Sequence, residues 1–173
     1  MREQDPNEQQ AETRLGRWML YGGWLMVLVV LTLIFSDFEI SQNNPNRDPI
    51  SSGAREVVLE KNRYDHYVFT GKVNGEDVDF LVDTGATQVV FTESQARKLG
   101  LKKGQRCRVN TANGESWSYA TKIDTLAIGP IVLRDVSAAI APNLEAEALL
   151  GMSALSGLEW SQSGDRLTIR IPD

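Results

Sequence analysis

Asp83 is the residue in this chain best placed to do chemistry. It follows the apolar run Phe80-Leu81-Val82 and opens a turn of small residues, Thr84-Gly85-Ala86. A carboxylate beside an apolar strand is costly unless hydrogen bonds or a partner satisfy it, so an aspartate there needs a reason. Two close carboxylates that share one proton supply a general base and a general acid at one site, and they titrate as a unit because both cannot ionise comfortably. One carboxylate cannot do both jobs. Taken alone, Asp83-Thr84-Gly85 also fits an ordinary turn, with Asp as its initiator and Thr and Gly as turn residues.

The elements that must position Asp83 read as β-structure. Tyr67 to Val73 leads through Asn74-Gly75, a strong two-residue hairpin signal, into Val78 to Val82. Period-two alternation places Val78, Phe80 and Val82 on one face and Asp79, Leu81 and Asp83 on the other. A strand at Val89 to Phe91 follows. Thr92-Glu93-Ser94-Gln95 then fits a capping box, with Thr92 as N-cap, and Gly100 stops the short helix. A second hairpin runs from Arg106 to Thr111, turns through Ala112-Asn113-Gly114-Glu115, and returns along Ser116 to Ile123. Strand-like stretches near Leu126 to Ile128, Val132 to Ile140 and Leu167 to Ile171 complete a mainly β pattern with one or two short helices.

Composition removes other classes of function. Formal net charge is −5 over 173 residues, which gives no broad basic surface for phosphates and argues against nucleic acid as a partner. One cysteine and one histidine, Cys107 and His66, leave no disulfide pair and no ligand cluster for a metal, and no cofactor is implied. Cys107 is expected as a small buried hydrophobe.

The N-terminal third has a different character. Residues 1–17 are polar and without apolar periodicity, and read as a disordered tail. Residues 18–35 form an uncharged apolar run of about the minimum length for a transmembrane helix, with Trp18, Tyr21 and Trp24 near one end and Phe35 and Phe38 near the other. No small-x-small cleavage pattern follows Phe35, so an uncleaved anchor is expected rather than a signal peptide. Arg2, Arg14 and Arg17 precede the run, and Arg47 is the first base after it. That asymmetry puts the N-terminus in the cytoplasm and the remainder outside, in the periplasm or an equivalent space. Residues 36–55 are rich in Ser, Asn, Pro and Asp and read as a linker. The folded domain is expected over residues 56–173.

Farther along, Leu149-Leu150-Gly151 places two bulky apolar residues before a glycine, and the Asn113-Gly114 hairpin lies between it and Asp83. With these three motifs in this order, the chain resembles the retropepsin-like aspartic proteases, specifically their bacterial, single-pass membrane-anchored branch, over roughly residues 56 to 160. The resemblance implies a single-lobe acid-protease β-barrel and peptide-bond hydrolysis. It makes Asp83 the catalytic residue in the active-site loop Thr84, Gly85 and Ala86. It makes Thr111, Ala112, Asn113 and Gly114 the flap, and Leu149, Leu150 and Gly151 the turn that supports the loop. Trp117 and Tyr119 stand two apart on the returning strand and fit either a substrate subsite or a structural role. The only other near match, Asp124-Thr125-Leu126, lacks the glycine, so the second carboxylate must come from another copy and a homodimer follows. A shared bilayer would favour that pairing. The competing reading is a membrane-anchored peptide-binding module on the same fold without turnover. Aspartyl-phosphate chemistry would need a Lys between Asp and Thr and a nucleotide domain, and the chain has neither.

Overall fold

The computed structural model describes residues 19–33, 42–51, 53–111, 114–142, 144 and 146–173. The chain divides into two compact units, Met1–Ile40 and Ser41–Asp173. In the first, residues 19–33 form helix α1, whose apolar side chains, among them Met19, Trp24 and Leu28, are exposed. Among the described residues no helix is long and apolar enough to cross a membrane. Trp18, Ile34 and Phe35 of the expected span, the expected tail 1–17 and residues 36–41 of the expected linker lie outside the described residues.

The second unit is mainly β. A four-stranded sheet runs β1 (Ile50–Ser51), β2 (Glu56–Glu60), β11 (Arg166–Arg170), β10 (Glu159–Ser163). A seven-stranded sheet runs β3 (Val68–Val73), β4 (Glu76–Val82), β9 (Ala148–Leu150), β5 (Val89–Thr92), β8 (Ile131–Ala141), β7 (Gly114–Ile128), β6 (Arg106–Thr111). Because β3 also pairs with the end of β7, at Lys72↔Ala127 and Val73↔Leu126, the strands from β3 to β7 close into a barrel and leave β6 outside it. Asn74 and Gly75 both take positive φ, 51° and 95°, as the tight β3–β4 turn demands. Helix α2 (Glu93–Lys98) is capped by Thr92, whose side chain accepts from the Gln95 N–H, as its sequence indicates. Helix α3 (Met152–Leu155) follows β9.

Alternation fills the core. Phe69 and Phe80 face each other across β3 and β4 with ring centroids 5.6 Å apart, and Phe91 meets Phe80 edge-on at 6.0 Å. Phe80 and Phe91 both stand beside Ala148 on β9, whose small side chain leaves room for two rings. Val57, Leu59, Leu167 and Ile169 of the smaller sheet join the same core. Each such side chain contributes about 1.5–3 kcal/mol by leaving water.

Two sequence expectations differ from the structure. Part of the expected linker, residues 42–51, packs on the barrel: Asn44 and Asn46 are both 4% exposed. Asn46 donates from Nδ2 to the carbonyls of Glu60 and Val68, and its Oδ1 accepts from the Glu60 N–H. Asn44 donates to Thr70 Oγ1 and Asp79 Oδ1. An Asn-rich run reads as solvated chain, yet the same amides satisfy backbone groups between two sheets. Cys107 is exposed rather than buried, because β6 lies outside the closed barrel.

Candidate active site

Asp83 follows directly on β4, and its surroundings are backbone. Its N–H donates to the Leu150 carbonyl at 3.1 Å, which continues the parallel β4–β9 pairing of Leu81↔Leu149 and Val82↔Leu150 by one step. The Ala86 N–H returns to the Asp83 carbonyl at 3.2 Å, closing a turn, and the Gly85 N–H donates to Asp83 Oδ1 at 2.9 Å. That hydrogen bond orients the carboxylate, and Oδ2 has no protein partner among the described residues. Asp83 is half-buried, while Thr84 and Gly85 are exposed at the surface of the single chain. Asp124 is also exposed but sits within the continuous strand β7, not in a turn.

Leu149-Leu150-Gly151 lies directly behind this turn. Strand β9 is held between β4 and β5, with Leu149 opposite both Leu81 and Val90. At Gly151 a Cβ would stand 2.1 Å from the Gln88 carbonyl oxygen and 2.6 Å from that of Ala86. No side chain fits there, so the glycine is required by space rather than by φ, which is −96°. The chain then enters α3, whose first N–H groups lack helical partners. Met152 and Ser153 direct theirs to the carbonyls of Ala86 and Thr87 at 2.8 and 3.0 Å. The structure therefore brings Asp83, Thr84, Gly85 and Ala86 together with Leu149, Leu150 and Gly151 through hydrogen-bonded backbone.

Sequence reading missed Ser153. Its hydroxyl donates to the Ser137 carbonyl on β8 at 2.7 Å and accepts from the Val89 N–H on β5 at 2.9 Å, tying α3 to the strand that leaves the Asp83 turn. Val89 and Ser137 are far from Ser153 in sequence, and a lone serine at a helix start carries no signal of such a role.

The hairpin of β6 and β7 stands at the other end of the strand order from β4. Thr111 pairs with Gly114 at its tip; Ala112 and Asn113 lie outside the described residues. On one face the Arg106 guanidinium stacks 4.0 Å above the Trp117 ring, and Arg108 forms an ion pair with Glu115. At the hairpin's base Lys103 lies 4.6 Å from the Tyr119 ring centre and 2.6 Å from Glu93 Oε1. The hydrogen bond from Lys103 holds the Glu93 carboxyl below its usual range.

Residues 69–157, just over half of the chain, match the protein family described as "gag-polyprotein putative aspartyl protease". The chain belongs to this family. Its matched segment runs from β3 to just past α3 and includes every residue of the Asp83 turn and of its Gly151 support. An uncharacterised protein encoded in the cobV 5′ region of Sinorhizobium sp is 38% identical over 125 residues, 69% of this chain and 54% of that protein. The uncharacterised protein RP867 of Rickettsia prowazekii (strain Madrid E) is 32% identical over 108 residues, 61% of this chain and 46% of its own length. The chain thus spans about half the length of the curated relatives it matches. The crystal structure of a retropepsin-like aspartic protease from Rickettsia conorii is similar with a TM-score of 0.58 and 28% identity, over 67% of this chain and 90% of that one. The aspartyl-protease family and this neighbour agree on a retropepsin-like aspartic protease fold.

Proposed function

We propose that this protein is a membrane-anchored aspartic endopeptidase that works as a homodimer. The observation that carries this reading is the Asp83 turn: a half-buried aspartate oriented by the Gly85 N–H, beside exposed Thr84 and Gly85, in a loop whose backbone is fixed by β9 and α3. In the proposed mechanism, Asp83 and Asp83 of the partner subunit share one proton. The ionised carboxylate takes a proton from water as it attacks the scissile carbonyl, and the protonated one donates to the carbonyl oxygen. Thr84, exposed beside Asp83, would exchange hydrogen bonds across the dimer axis. The hairpin through Thr111, Ala112, Asn113 and Gly114 would close over an extended polypeptide and add backbone hydrogen bonds to it.

The apolar run 18–35 supports an anchor, and the arginines before it support a cytoplasmic N-terminus with the protease domain outside the membrane. Residues 41–173 would then act near the bilayer on extended segments of protein. A peptide-binding module on the same fold without turnover is the second reading; the retained Asp83-Thr84-Gly85 argues against it.

Cleavage of an unstructured protein by the full chain, wild type against Asp83→Asn, from acid to neutral pH, separates the two. Asparagine keeps the oxygen that accepts from Gly85, so the fold should survive while cleavage falls about a thousandfold. Equal cleavage by both proteins would sink the role of Asp83. Peptide binding without cleavage by either would establish the binding module.

A further inference from the structure

The net charge of −5 conceals a strongly basic stretch. Between residues 93 and 108 stand Arg97, Lys98, Lys102, Lys103, Arg106 and Arg108, against Glu93 as the one acid. The hairpin of β6 and β7 gathers most of it on one surface. Register sets Arg106 opposite Tyr119 and Arg108 opposite Trp117, and residues two apart on a strand share a face, so these four side chains stand together. Pairing continues past β6: the Gly104 N–H donates to the Ala120 carbonyl and the Ala120 N–H to the Gln105 carbonyl, which brings Lys102 and Lys103 alongside. Cations and rings then alternate. Lys103 lies 4.6 Å from the Tyr119 ring centre, and the Arg106 and Arg108 guanidiniums lie 4.0 and 5.9 Å from that of Trp117. Trp117 is 44% exposed, and Lys98, Lys102 and Arg106 make no ion pair among the described residues. Arg108 and Lys103 pair with Glu115 and Glu93, but in contact with solvent, where such pairs are weak and screened by salt.

We infer that this face of the β6–β7 hairpin docks on the headgroups of an anionic lipid bilayer. The inference rests on the proposed function for the anchor that keeps the chain at a membrane. Lysine and arginine are drawn to the negative charge of such a surface, and their long stems let the charge reach phosphate while the methylenes stay in the interface. Tryptophan and tyrosine settle in the same layer, because their rings are apolar and their polar edges need water. Both kinds of side chain are interleaved here on one exposed face. An acidic polypeptide would match the charge equally well. Lipid is favoured because a second element of the chain, helix α1 with Met19, Trp24 and Leu28, also exposes apolar side chains suited to a bilayer. A tethered domain, moreover, meets the bilayer at high effective concentration, so a contact too weak to recruit a free protein is enough to hold one. Lipid charge, and not the anchor alone, then sets how the hairpin stands at the membrane.

The test uses the full chain in lipid nanodiscs with a fluorophore on Cys107, the one thiol of the sequence, which is exposed on β6. The discs are phosphatidylcholine alone or with phosphatidylglycerol added, each with a trace of lipid carrying a nitroxide quencher on its headgroup. Quenching should be about threefold stronger in the anionic discs and should fall to the neutral-disc level in molar salt, where the screening length shrinks to about 3 Å. Lys102→Gln with Arg106→Gln removes two exposed charges that make no ion pair, and should lose that increment with its melting temperature kept. Lys72→Gln with Arg166→Gln changes the net charge equally on other strands and should keep the increment. Equal quenching in the two kinds of disc, or equal loss in both double variants, overturns the docking face. Added polyglutamate that shifts the emission of the wild type but not of the Lys102→Gln, Arg106→Gln variant, with no response to anionic lipid, overturns it in favour of an acidic polypeptide. Asp83→Asn should leave quenching unchanged, so the docking face stands even if no cleavage is found. Failure of the chain to enter discs would remove the anchor from the proposed function. Binding of the labelled chain to preformed anionic vesicles, lost in the Lys102→Gln, Arg106→Gln variant, would then still support the face, and no binding would overturn it.

Discussion

The turn that carries Asp83 and the hairpin of β6 and β7 are built on opposite plans. The turn is enclosed by its own chain: β4, β9 and β5 run side by side beneath it, and its carbonyls are occupied by N–H groups of α3. The hairpin projects from the barrel, and between Lys102 and Ala120 the only buried side chain among the described residues is Ser118. Its contacts are exposed pairs of charge with charge or charge with ring, each worth about 1 kcal/mol or less. Segments with few buried contacts open at low cost, whereas core strands open only with the whole fold. Under the proposed function the difference would divide the labour, with one part holding a carboxylate still and the other moving to admit substrate.

The sharpest way to break this contrast is Gly151→Ala. Its Cβ would strike the Gln88 and Ala86 carbonyls, backbone atoms that cannot step aside without moving the Asp83 turn. A loss of about 4 kcal/mol or more is expected, enough to leave little folded protein, read by thermal melting and circular dichroism. Asn46→Ala comes next. It strips partners from the part-buried backbone groups of Glu60 and Val68 and should cost about 2 to 3 kcal/mol in a denaturant titration. A fragment starting at residue 56 should be destabilised at least as much. Ser153→Ala removes one acceptor and one donor behind the turn. About 2 kcal/mol of stability should go, with cleavage falling further than stability alone explains because the loop loses its anchor.

What the sequence made legible follows from how local each signal is. The β3–β4 hairpin, the Thr92 cap and the Asp83 turn declare themselves within a few residues, through Asn74-Gly75, Thr92 with Gln95, and an aspartate closing an apolar run. The association of Leu149-Leu150-Gly151 with that turn came from family resemblance, since nothing in three residues predicts a parallel partner so far away. Strand β10 was not expected, because Glu159-Trp160-Ser161-Gln162-Ser163 has only one strongly apolar residue and no buried face to impose a period of two. Asn44 and Asn46 misled for a chemical reason: an amide that initiates a turn in water is also the side chain best able to replace a missing strand partner in a core.

The smallest stability effect should come from the hairpin, and that smallness is the informative result. Trp117 is 44% exposed, with the Arg106 guanidinium stacked on one face of its ring. Trp117→Ala should change unfolding free energy by about 1 kcal/mol or less, since little buried area is lost and the stacked arginine returns to water. If the hairpin covers bound polypeptide, the same variant should raise KM for an extended peptide several-fold while kcat changes less, because the ring would contribute to holding the chain rather than to proton transfer. A melting temperature that falls as far as in Ser153→Ala would show instead that the hairpin is structural, and the contrast between a fixed turn and a movable cover would not hold.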